Sequence, residues 1–261
     1  MNCYIRWDRK KKSILSESEL EHYSRHISLS LVGIAGQEKL KRSRVLIVGT
    51  GGLGSPISMY LAAAGVGVIG LVDFDVVDKS NLQRQIVHGY DTLGNEKVES
   101  AKQRLLNINK HLNIKTYNIK LNQSNAEKLI KDYDVVVDAS DNFSVRYAMN
   151  DACHVYKIPF IHGSISEFRG QVSVFNYKEG PCYRCLFPSS PPDELAPSGS
   201  VTGVIGIIPG IVGTIQASEV LKVILNIGEI LSGELLTVDV LNTNFRKIKL
   251  LKNKNCIICS K

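Results

Sequence analysis

No uninterrupted apolar run in this sequence approaches the ~20 residues that a membrane-spanning helix needs. The most apolar region, 201–225, is broken by Gly203, Gly206, Pro209, Gly210 and Gly213, so it reads as a buried helix with a glycine-rich approach. The amino-terminal basic cluster, Arg6 and Arg9 to Lys12, has no apolar stretch behind it, so a secretory leader is not expected. Internal repeats are missing, which excludes solenoids and propellers. Also missing is a basic groove interleaved with aromatics, the mark of single-strand nucleic-acid binders. Much of the formal net charge of +7 sits near the two ends, the second cluster running from Arg246 to Lys254, and reads as solvated termini. A mildly basic surface also suits an acidic protein partner. The expectation is a soluble protein, cytoplasmic in kind, with neither membrane nor nucleic acid as partner. Frequent Lys, Asn and Ile suggest an AT-rich genome, and with it a bacterial cytoplasm or a plastid stroma.

The composition that is there, 44% hydrophobic and 22% charged over 261 residues, is that of an ordinary globular chain with a substantial core. Ser16 and Glu19 form a capping-box signature for a helix to about His26, and a second short helix covers 37–41. Short apolar stretches at 44–48, 68–72, 114–119, 134–138 and 158–161 read as strands. Helical spacing over 55–64, 95–110 and 144–156 alternates with them, and Ser124 with Glu127 signals one more helix start. Alternation of this kind implies a Rossmann-like α/β sheet with helices on both faces. After Gly163 the texture changes. Residues 171–175 alternate as a half-exposed antiparallel strand would, and 235–240 and 245–251 look similar. Between them lie a Pro/Ser-rich segment, 188–200, and a helix from about Ile211 to Leu225. The expected fold is a single domain: a nucleotide-binding core over about 16–163, then an antiparallel extension over about 164–261.

Gly49, Gly51 and Gly54 lie between a strand and a helix, where glycines let the backbone approach a phosphate at the helix amino terminus. Asp73 ends the next strand and is placed to accept from a ribose hydroxyl. Alone this is a nucleotide signature whose default ligand is NAD, or simply a tight turn. The following Ser80-Asn81-Leu82-Gln83-Arg84-Gln85 cluster argues for more charge. Arg84 offers a bidentate donor to phosphate oxygens, and Lys97 follows on the next helix. A triphosphate calls for such cations, although both also suit a helix surface. Asp141 and Asn142 sit at the carboxyl end of a strand, the edge where open α/β sheets bind ligands, so Asp141 is a candidate for a divalent metal. Asp138 reads as either a neighbour of that site or an N-cap. Four of the six cysteines form two Cys-x-x-Cys pairs, Cys182/Cys185 and Cys256/Cys259, a pattern of metal binding before disulfides; either pair alone would also suit a redox dithiol. Cys3 and Cys153 read as incidental thiols, Cys153 in a helix packing face.

Taken together these residues resemble the MoeB/ThiF family, bacterial-type relatives of ubiquitin-activating enzymes. The resemblance runs from about Ser16 to Ser260. It is carried by Arg25, the 49–54 loop, Asp73 to Asp75, the 80–85 hexapeptide, Lys97, Asp141-Asn142 and both cysteine pairs. It implies an ATP site lined by the loop with Gly52, and by Asp73, Ser80 to Arg84, Lys97, Asp141 and Asn142. Asp141 would hold Mg²⁺, and Arg25 would reach the neighbouring subunit's site across a homodimer. The four paired cysteines would hold a structural Zn²⁺. The implied reaction is adenylation of the C-terminal glycine of a small ubiquitin-like sulfur carrier ending in Gly-Gly. That carrier would be MoaD-like, for molybdopterin, or alternatively ThiS-like, for thiamine. An NAD-linked oxidoreductase would leave Arg84, Lys97 and the cysteine pairs without a role; a non-catalytic zinc-clamped binding protein is the other competing reading.

The sequence departs from the family at one place. Many members carry a cysteine shortly before the run matching Gly203 to Gly206; here Gly199 stands there, and no cysteine lies between Cys185 and Cys256. Adenylation does not need that thiol; a covalent thiol step does, unless Cys3 or Cys153 substitutes for it. The chain ends just after the second cysteine pair, so a fused sulfurtransferase domain is not expected and sulfur would come from another protein.

Overall fold

Strands of Val, Ile and Leu with no polar alternation can be stable only where both faces are covered, and the structure covers them. A computed structural model describes residues 13–190 and 203–260. The strands are β1 (Arg44–Val48), β2 (Val68–Val72), β3 (Asn113–Tyr117), β4 (Val135–Asp138), β5 (Phe160–Ser166), β6 (Arg169–Phe175), β7 (Glu234–Asp239) and β8 (Asn244–Lys249). They form one sheet in the order β3-β2-β1-β4-β5-β6-β7-β8. Pairing is parallel from β3 to β5 and antiparallel from β5 to β8. This is the expected α/β class with its antiparallel extension. Strand order reverses between β1 and β4, which opens a crevice at their carboxyl ends.

The helices are α1 (Glu17–His22), α2 (Ser24–Ile27), α3 (Gly33–Arg42), α4 (Gly54–Ala64), α5 (Lys97–Ile108), α6 (Ala126–Ile130), α7 (Phe143–Val155), α8 (Tyr183–Leu186) and α9 (Ile207–Leu225). Alternate residues of each strand feed opposite cores. Val45, Ile47, Ile69, Leu71, Val137 and Ile161 pack with Ile57 and Leu61 of α4, Leu105 of α5 and Val212 of α9. Leu46, Val48, Val136 and Phe160 pack with Ile130 of α6 and Met149 and Cys153 of α7. Cys153 is fully buried on the packing face of its helix, as expected.

Five expectations change. The 171–175 strand is not half-exposed: Val172, Ser173, Val174 and Phe175 are all buried, because α9 covers one face and the α7 side the other. Ser173 satisfies its hydroxyl on the Glu234 carbonyl at 2.7 Å. Ser124 does not cap α6; its hydroxyl donates to Asn122 Oδ1 at 2.6 Å, and Asn125 holds the N-cap position. The helix expected from 211 starts at Ile207, since Pro209 falls in the first turn, where it has no hydrogen bond to lose. At 19 residues and mean hydropathy 1.4 it is long and apolar enough to cross a membrane, unlike the broken run read from sequence. Here it packs on α4, β5 and β6. Gly213 permits that contact: a Cβ there would stand 2.6 Å from Pro56 Cγ and 2.7 Å from the Leu53 carbonyl. The capping box at Ser16 and Glu19 is present as expected, although the helix breaks at Tyr23 into α1 and α2. Gly199, Cys3 and most of the Pro/Ser-rich segment lie outside the described residues.

Candidate active site

The β1–α4 turn is built by its own glycines. Gly49 sits at φ +98, and a Cβ there would lie 2.4 Å from the Ala139 carbonyl oxygen; one on Gly54 would lie 2.1 Å from the Gly49 oxygen. These two positions are therefore closed to any side chain by backbone alone. Gly51 and Gly52 are different, since an added Cβ would first meet the Gln85 amide at 3.4 Å and the Pro209 ring at 3.1 Å. Asp73 secures the turn. Its Oδ2 accepts from Thr50 N at 2.8 Å and Thr50 Oγ1 at 3.0 Å, and its Oδ1 accepts from Asp75 N at 3.0 Å. A carboxylate has about four acceptor sites, so one position on Asp73 remains open to a further donor. His88 braces the same turn, its Nε2 3.0 Å from the Thr50 carbonyl.

One cavity of about 1070 Å³ spreads from this turn along the carboxyl ends of the parallel strands and over the antiparallel extension. Gly49, Gly51, Gly52, Asp73, Arg84, Lys97, Asp141 and Asn142 all line it. The long gap in sequence between these residues closes because β1, β2 and β4 are neighbours in the sheet. Lys97 is only 5% exposed and donates to Asp75 Oδ2 at 2.9 Å. Arg84 is half-buried, and its Nη1 donates to the Ser80 carbonyl at 3.2 Å. Asp141 is exposed at the rim, where no described group donates to its carboxylate. Asn142 is the N-cap of α7, accepting from Val145 N at 3.2 Å.

Other expected residues do not reach the cavity. Gly54 belongs to the turn's interior. Ser80, Asn81, Leu82 and Gln83 form a short 3₁₀ segment and its exit beside the cavity rather than in its wall. Ser80 Oγ donates to Asp78. Arg25, on α2, is exposed and is not part of the lining.

The structure adds a charged layer beneath the cavity that sequence reading missed. Asp138 is fully buried and is not an N-cap. Its Oδ2 accepts from Arg146 Nε and His162 Nδ1, both at 2.8 Å, and its Oδ1 from Ser140 N and Oγ at 3.1 and 2.7 Å. Burial would raise this carboxyl, but the Arg146 charge and the donors from His162 and Ser140 outweigh it and hold the pKa low. His162 is driven the other way, its burial favouring the neutral ring. Arg146 and Tyr183 line the cavity from below, and burial pushes the Tyr183 hydroxyl up to about 12. The available signal was a histidine and an aspartate at the ends of apolar strands, residues that need buried partners. The Gln85 Oε1 is buried without a partner among the described residues.

The cysteine pairs meet as expected. All four sulfurs lie within 4.8 Å of one another. Cys182 to Cys256 is 3.5 Å, Cys185 to Cys259 3.3 Å and Cys182 to Cys185 4.0 Å. A disulfide would require about 2.05 Å. Four thiolates bonded to zinc at about 2.3 Å stand about 3.8 Å apart, so the cluster fits a tetrahedral metal. Burial raises Cys182 and raises Cys259 to about 11. Burial opposes the Cys256 thiolate, yet N–H donors from Cys259 and Ile258 bring it down to about 7. The cluster ties the segment after β6 to the end of the chain.

Comparison with known proteins agrees with this layout. The chain is 47% identical over 247 residues to the adenylyltransferase and sulfurtransferase MOCS3 of Culex quinquefasciatus, covering 94% of itself and 56% of that protein. It thus spans about half the length of the MOCS3 relatives it matches. It is 44% identical to the sulfur carrier protein adenylyltransferase of Thermus thermophilus, covering 94% of itself and 92% of that protein. Among solved structures, E. coli MccB with MccA-N7isoASN superposes with a TM-score of 0.81 at 22% identity, covering 93% of this chain and 75% of that one, which shows a shared fold. The ThiF family profile matches residues 23–258, so the chain belongs to the ThiF family.

Proposed function

We propose that this protein is an adenylyltransferase that uses ATP to activate the C-terminal glycine of a small ubiquitin-like sulfur carrier ending in Gly-Gly. The observation that carries this reading is the meeting of the glycine turn, Asp73, Arg84, Lys97 and Asp141 in one cavity large enough for a nucleotide and a peptide end. The names of the Thermus and MOCS3 relatives support it. The glycine turn and the amino terminus of α4 hold the phosphates; Asp73 takes the ribose. The carrier's carboxylate oxygen attacks the α-phosphorus, and the bond to the leaving pyrophosphate breaks. Two anions must approach, so Arg84 and Lys97 act by neutralising charge where it develops. Asp141, an unpartnered carboxylate at the rim, fits a hard divalent ion, and Mg²⁺ there would screen the same phosphates. Arg25 serves the site of a second copy in a homodimer, which accounts for its exposure here. The cysteine cluster holds structural Zn²⁺. The carrier is MoaD-like, in molybdopterin synthesis, with a ThiS-like carrier as the alternative.

ATP–pyrophosphate exchange that depends on a Gly-Gly carrier tests this. No exchange with MoaD-like or ThiS-like carriers, using zinc-loaded protein, overturns it. Asp141→Ala should cut exchange by at least a hundredfold while the melting temperature stays within about 2 °C, since its side chain is exposed and unbonded. An unchanged rate removes Asp141 from the site.

A further inference from the structure

Beyond the nucleotide end, the cavity floor is the antiparallel part of the sheet, and its register sets polar residues in line. Ser164 of β5 pairs with Gln171 of β6, Gln171 with Thr237 of β7, and Thr237 with Arg246 of β8. All four line the cavity. Three strand spacings of about 4.8 Å make a row about 14 Å long, roughly four residues of extended chain at about 3.3 Å each. Within this row Gln171 differs from the others because its amide has been turned to one orientation by groups behind it. The Asp138 carboxylate can only accept, so His162 Nδ1, 2.8 Å away, carries the ring's hydrogen. The ring is fully buried, which lowers its pKa and favours the neutral form, and in that form Nε2 is bare. Gln171 Nε2 faces that bare nitrogen at 3.4 Å. Reversing the amide would set two acceptors against each other, so the amide nitrogen turns to the ring. Gln171 Oε1 accepts from no described group and is not among the buried atoms left without a partner, so it is open to the cavity.

We propose that Gln171 is a positioning residue for the acceptor: its Oε1 accepts a hydrogen bond from a backbone N–H of the extended C-terminal tail lying along the Ser164–Arg246 row. The proposal rests on the adenylation reading and adds to it a defined contact. The Asp138–His162 pair pre-orients the amide before the tail arrives, so little ordering cost remains on binding. Because the bond is to the main chain, it reads an extended backbone and not a side chain, which suits a tail ending in two glycines.

The test is Gln171→Met, which keeps length and removes the amide. In carrier-dependent exchange, KM for the carrier should rise three- to tenfold, the size of one net hydrogen bond, while KM for ATP stays within twofold. A semisynthetic carrier with N-methylglycine at the last or the next-to-last position lacks one tail N–H. At the position Gln171 reads, that carrier should lose affinity with the wild-type enzyme and lose nothing further with Gln171→Met. An unchanged carrier KM, equal rises for carrier and ATP, or independent losses at both tail positions overturns the proposal. If wild-type protein shows no exchange, the adenylation reading fails, and calorimetric titration of the same two carriers into both proteins still decides the Gln171 contact by the same non-additivity.

Discussion

Replacing Asp138 by Asn tests the layer beneath the cavity most directly. The Asp138 and Arg146 side chains are 0% and 6% exposed, and the guanidinium has its carboxylate at 2.8 Å. Asn keeps the shape and still accepts from Ser140, but it leaves a buried cation without a counter-charge. Breaking one side of a buried pair costs about 3–5 kcal/mol, a large share of the 5–15 kcal/mol that holds a typical domain together. For a chain of this size that corresponds to a fall in melting temperature of roughly 6–20 °C. Urea unfolding followed by far- and near-ultraviolet circular dichroism reads the change. The double variant Asp138→Asn/Arg146→Met removes the orphaned cation and should be less damaged than the two single losses summed, by about 1–3 kcal/mol. A loss below about 1 kcal/mol for Asp138→Asn, or strict additivity in the double variant, would refute the reasoning.

Three further outcomes follow from the same geometry. Gly54→Ala places a methyl 2.1 Å from the Gly49 oxygen and should abolish ATP binding by calorimetry; retained affinity would show that the turn adapts. Purified protein should carry about one zinc per chain by elemental analysis, and Cys256→Ser should release it and free the 256–260 end for proteolysis; a full metal content in that variant contradicts a four-sulfur site. His88 and His162 are both held below their ordinary 6.5 by burial, so the unfolded chain binds protons that the folded one refuses. Their contribution is complete above pH 6.5 and is lost as pH falls below it, by up to about 1.4 kcal/mol per unit per histidine. A urea midpoint that stays flat from pH 8 to 5.5 would contradict this sign.

The local pattern was legible because it rests on short-range chemistry. β1 and β2 fall where their apolar runs predict, and the Ser16–Glu19 box caps α1 because both partners lie within one turn. The glycine spacing and the cysteine pairs carry their meaning in the same way. What spacing could not convey is which far-apart residues share a wall. Ser80 to Gln83 read as ligand groups, yet the segment turns beside the cavity, while Arg146 and Gln171, silent in sequence, line it. How closely α9 packs on α4 was also not legible, since it rests on a tertiary contact, Gly213 admitting Pro56.

Residue types at fixed spacing were enough to predict β1 and β2, the glycine turn, the meeting of the paired cysteines and the family. The charges beneath the cavity and the polar row across it emerge only from the folded chain. Those depend on sheet register, which sets residues from β4 to β8 side by side across up to 108 positions of chain, as from Asp138 to Arg246, and no local rule reports that distance closed.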